Sequence, residues 1–95
     1  MLKYLKDHIL EEVDGAVDYM TKALEHKGTK DGCTFRKMAE MELEHANALT
    51  KMFRDTEKPN DMTSEEYAAT QKAVLDKYIT AMGHIESMKK LYYSD

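Results

Sequence analysis

The chain has 95 residues, enough for one hydrophobic core and too few for two. Its 14 Lys and Arg against 18 Asp and Glu leave a net charge of −4 with no clustered basic stripe, which excludes a nucleic-acid module. The one cysteine, Cys33, excludes an internal disulfide framework and a CxxC metal site, and no apolar run serves as a secretory signal or membrane span. A cytoplasmic location with no membrane partner is the resulting expectation. Val13, Val17, Val74, Ile9, Ile79 and Ile85 are too few β-branched aliphatics to build a sheet, so the chain reads as all-α. Eight methionines and no tryptophan give a pliable core, one that also suits packing against a partner.

Three amphipathic segments divide a single domain, residues 1–95. The first helix is predicted over about 2–27, where Leu2, Leu5, Ile9, Val13, Ala16, Met20 and Leu24 recur at spacings of three and four. Gly28 follows as a left-handed cap and Gly32 closes the turn. The second helix is predicted over about 33–54, with Asp31 as its N-cap. Pro59 and its neighbours form the second break. Thr63 or Ser64 then caps a third helix over about 64–92, with Glu65 and Glu66 in its positive first turn. Short connections make the segments antiparallel neighbours. Helices this long in so small a chain leave an apolar edge that a second copy would cover.

The second segment carries the sharpest chemical signal. Its apolar stripe is read as Phe35, Met38, Glu42, His45, Leu49 and Met52, which sets a carboxylate and an imidazole in core positions. Burying an unpaired carboxylate is costly unless it finds a partner or shifts its pKa, and a metal would satisfy both residues. Their i, i+3 spacing is the Glu-x-x-His arrangement of di-iron carboxylate bundles. Glu12 supplies a second carboxylate on the inward side of the first helix, and Tyr19 follows two turns later on the same face. Oxygen donors joined by one imidazole suit Fe(II) or Mn(II) better than Zn(II). With the turn placed between Lys27 and Cys33, His45 is nearly level with Glu12, whereas Glu42 is offset by about 9 Å at 1.5 Å per residue. One chain offers half a di-iron ligand set, and a two-fold dimer would complete it on the symmetry axis.

These residues carry a resemblance. Glu11-Glu12 followed by Ala16-Val17-Asp18-Tyr19, and Glu42-Leu43-Glu44-His45-Ala46, lie in a hairpin over residues 10–53 that resembles the encapsulated ferritins. The resemblance implies a ferritin-like antiparallel hairpin plus a third long helix, with a four-helix-bundle-type core completed by dimerisation. It implies Glu12, Glu42 and His45 as iron ligands, Tyr19 as a catalytic neighbour of the centre, and Glu11 and Asp14 as an outer metal-attracting pair. An encapsulin shell is the implied partner, although no apolar targeting tail follows the third helix. The expected function is a ferroxidase, oxidising Fe(II) with O2 for iron storage or detoxification in a homodimer or higher homo-oligomer. Two alternatives stand beside it: a peroxide-reducing protein like the rubrerythrins, and a metal-free helical interaction module of a phage or regulatory kind. His8, His26 and His84 read as partly exposed helix residues, His84 with some scope as an extra ligand. Cys33 reads as an inert thiol.

Overall fold

A computed structural model describes residues 1–95 as three helices and no strands. They are α1 (Leu2–Glu25), α2 (Lys30–Asp55) and α3 (Ser64–Tyr93). The molecule is a rod, 51 × 18 × 15 Å. α1 lies between the other two, packing along both α2 and α3, while α2 and α3 meet at few points. The third helix therefore folds back onto its own hairpin. None of the helices is long and apolar enough to cross a membrane.

The first turn is tighter than the sequence pattern predicts. α1 ends at Glu25 and α2 begins at Lys30, with Thr29 rather than Asp31 as its N-cap. The Thr29 hydroxyl accepts from the Gly32 N–H at 3.0 Å. Two glycines make this turn possible. Gly28 has φ of 84°, a region L-residues rarely adopt, and a Cβ on Gly32 would lie 2.2 Å from the His26 carbonyl oxygen. The second turn is held by Tyr67, whose hydroxyl donates to the Thr56 carbonyl. Thr63 then closes a capping box with Glu66: each side chain accepts from the other residue's backbone N–H.

Two apolar clusters fill the rod. Near the first turn, Ala16, Met20 and Ala23 of α1 pack with Ala39 and Leu43 of α2 and Ile85 and Met88 of α3. At the far end, Leu2, Leu5, Ile9, Phe53 and Val74 form the second cluster. Beyond them, Lys27 reaches the Leu91 and Ser94 carbonyls, and Tyr93 donates to Glu40, tying down the end of α3.

The buried residues of α2 are Gly32, Ala39, Leu43, Ala46, Thr50 and Phe53, which along the body of the helix lie one position round from the predicted stripe. Glu42 is half-buried, His45 is exposed, and Met52 is 50% exposed. The expectation that Glu42 and His45 occupy core positions is thus incorrect. A stripe of Phe, Met and Leu is the stronger hydropathy signal, but the tight α1–α2 approach selects the alanine row instead. On α1, likewise, Ala23 is buried where Leu24 was expected.

Candidate metal centre

The shorter turn also changes the register of the hairpin. Glu12 and Glu42 stand at nearly equal distances from it, residues 25 to 12 against 30 to 42. The 9 Å offset predicted for Glu42 does not exist; its origin is a second helix started three residues too late and a first helix ended two residues too late. Glu42 faces Glu12 directly across the hairpin.

Glu12, Glu42 and His45 are the one group of His, Cys, Asp and Glu side chains brought together as a metal would need. One donor atom from each lies within 4.8 Å of the others. They sit on the flank of the hairpin that α3 does not cover, at mid-length between the apolar clusters. His45 Nδ1 is 3.6 Å from Glu12 Oε2, an ion-pair distance and not a hydrogen bond. Glu12 Oε2 is buried and accepts no hydrogen bond at all. An orphaned carboxylate oxygen is costly, and a cation at this point would remove the cost.

The electrostatics agree. The Glu42 carboxyl is raised from its ordinary value to about 7, first by a hydrogen bond with Glu12, then by burial and by the charge of Glu12; His45 opposes the shift. A like charge facing Glu42 disfavours its ionised form unless something positive separates the two.

Gly15 belongs to the site although it bears no functional group. A Cβ there would meet Glu42 Oε2 at 3.3 Å, so the glycine leaves the room that Glu42 occupies. A glycine within an otherwise good helix, three residues after Glu12, is the sequence signal that could have found it.

Other expected residues lie elsewhere. Tyr19 stacks on Phe35, ring centroids 6.3 Å apart, and is about 10 Å from Glu12 along the helix axis. Asp14 and His84 line a groove between α1 and α3, away from the cluster. Glu11 is exposed beside His8, 3.8 Å from its Nδ1. Cys33 is half-buried with Arg36 Nη2 3.7 Å from its sulfur.

The family model described as rubrerythrin matches residues 3–94, almost the whole chain. The chain belongs to the rubrerythrin family. That places it in the ferritin-like superfamily, whose rubrerythrin-like members typically bind iron. Neither the curated proteins nor the solved structures yield a match. The donor set fits iron by its chemistry: two carboxylates offer hard oxygen donors, the imidazole adds one nitrogen, and a buried oxygen lacks any partner. In this rubrerythrin-family chain the hairpin alone supplies the cluster, without help from α3.

Proposed function

We propose that two copies of this chain meet on the uncovered flank and form a di-iron centre with ferroxidase activity, as in the encapsulated ferritins. The carrying observation is the convergence of Glu12, Glu42 and His45 around a buried, unpartnered oxygen. Each copy would contribute two carboxylates and one imidazole, so a two-fold pair supplies the four carboxylates and two histidines of a di-iron site. Iron held there would supply Fe(II) oxidation by O2, the chemistry of iron storage or detoxification. Glu12 and Glu42 act as oxygen donors and His45 as the nitrogen donor. Glu42, whose carboxyl is raised to about 7, must also release its proton when a cation arrives.

The surroundings support pairing on this flank. Met41 and Met52 are 57% and 50% exposed, and with Met38 and Leu49 they share the helix face of Glu42 and His45. Tyr4, 57% exposed, continues the apolar surface on α1. Tyr19 lies on the same α1 face, two turns from Glu12, as a neighbour of the paired site and not a ligand.

The family assignment favours a second reading, peroxide reduction at the same centre. The single cysteine means that this chain carries no four-cysteine iron site of its own to feed electrons in.

Anaerobic Fe(II) titration followed by O2 uptake tests the proposal. Fe(II)-dependent oxygen consumption is expected in the wild-type protein and its loss in Glu42→Ala and His45→Ala. Unchanged oxidation in both variants refutes the assignment. Faster turnover with H2O2 than with O2 selects the peroxide reading.

A further inference from the structure

The concave surface at the candidate centre extends past the three donors. Tyr4, His8 and Glu12 follow one another at four-residue intervals on α1, and with His45, Ala48 and Leu49 of α2 they enclose a hollow of about 270 Å³. Two imidazoles therefore border the hollow that Glu12 also lines. His8 is half-buried, and its ring lies against that of Tyr4 with centroids 4.1 Å apart, which restrains its plane. Its charged neighbour is Glu11, at 3.8 Å too long for a hydrogen bond and 75% exposed. A four-residue step on a helix advances about 6 Å, so His8 is one turn along α1 from Glu12.

We propose that His8 is a cation-capture residue of the unpaired chain, taking a divalent first-row transition ion from solvent through a ring nitrogen and passing it to Glu12 and His45 before a second copy covers this flank. This rests on the reading of Glu12, Glu42 and His45 as a metal centre. The gain is selectivity. Carboxylates alone admit abundant hard cations such as Mg(II), whereas a second imidazole on the hollow favours Fe(II), Co(II) or Zn(II). The exposed Glu11 carboxylate adds negative charge beside the ring without occupying its donor position.

Co(II) is the probe, because its visible absorption reports binding without turnover. Stopped-flow uptake into the metal-free protein is measured for the wild type and for His8→Ala, with and without excess Mg(II). The expected result is uptake about tenfold slower in His8→Ala, the low end of what a supporting residue around a metal contributes. The final Co(II) stoichiometry and spectrum should match the wild type, and Mg(II) should slow the variant more than the wild type. His8→Gln, which keeps a polar side chain of similar bulk without the imidazole, should reproduce the effect and separates it from any loss of folding. Normal Co(II) binding by the wild type with unchanged uptake in both variants overturns the capture role and leaves the centre standing. A wild-type protein that binds no Co(II) overturns the centre itself. Loss of final stoichiometry in the folded His8 variants makes His8 a resident ligand and also overturns capture.

Discussion

The two flanks of the α1–α2 hairpin are built from the same pair of helices under opposite rules. On the flank covered by α3, Ala16, Met20, Leu43, Ile85 and Met88 exclude water and leave no charged group inside. On the uncovered flank, one residue round on each helix, stand Glu12, Glu42 and His45, with a buried oxygen that accepts no hydrogen bond. The covered flank contributes stability by burying apolar area. The uncovered flank gives up some of that stability to hold two carboxylates face to face. Carboxylates placed there stay reachable by an ion and by a second chain, which a position in the dry core would not permit.

The largest test of this contrast is a truncation on the covered side. Phe53 is completely buried at the far end of the rod, against Leu2, Leu5, Ile9 and Val74. Phe53→Ala should destabilise the protein by about 3–5 kcal/mol in urea unfolding, the usual cost of an aromatic cavity. Glu42→Gln on the other flank should do the reverse in the metal-free protein, since it removes a like-charge contact. Equal losses in the two variants would erase the distinction between the flanks.

A pH series sharpens it next. Glu42 has its folded-state carboxyl raised from 4.5 to about 7, so the folded protein binds more protons than the unfolded chain between those values. Stability should then fall as pH rises from about 4.5 through 7, and level off above. The urea midpoint of the metal-free protein measures this, and Glu42→Gln should flatten the slope. Metal affinity should run the other way: a cation displaces the Glu42 proton, so Co(II) binding should strengthen as pH rises toward 7 and above. A slope that survives in Glu42→Gln would place its origin outside the Glu12–Glu42 pair.

The contrast between flanks also explains what could be read from the sequence. The three helices, the Gly28 turn and the Thr63 cap follow from periodicity and capping chemistry, which are local. The α1 stripe is legible because Leu5, Ile9, Val13 and Met20 are both the most apolar and among the most buried residues of that helix. On α2 the two properties separate. Ala39 and Ala46 are buried because small side chains let α1 approach closely, while the larger Met41 and Met52 turn outward and Met38 is only half-buried. Hydropathy ranks methionine above alanine, so the predicted stripe falls on the wrong row. The acidic and histidine residues stand out for a mistaken reason: they interrupt the outer row, not the core. The start of α2 is misplaced because the Asp31 cap and the Gly32 break outweigh Thr29. That three-residue error, with a first helix carried two residues too far, produces most of the axial offset assigned to Glu42. Gly15 and His8 escape notice because each has an ordinary role alone, and only the fold sets them beside Glu42 and Glu12.

The smallest effect, and the one most specific to the uncovered flank, belongs to Gly15. A glycine inside a helix costs roughly 0.5–1 kcal/mol relative to alanine, through backbone entropy. Gly15→Ala should recover about that much stability if its Cβ finds space. The atom it meets is Glu42 Oε2 at 3.3 Å, the tip of a half-buried side chain that can swing toward solvent. The metal-free variant should therefore be slightly more stable than the wild type in urea. Swinging Glu42 aside separates it from Glu12, so Co(II) affinity should drop severalfold and the raised Glu42 pKa should relax toward the ordinary carboxylate value. Opposite signs for stability and affinity from one added methyl group are expected only where a glycine was kept for a ligand and not for the fold. A variant that gains stability with unchanged Co(II) affinity would show instead that Gly15 merely neighbours Glu42.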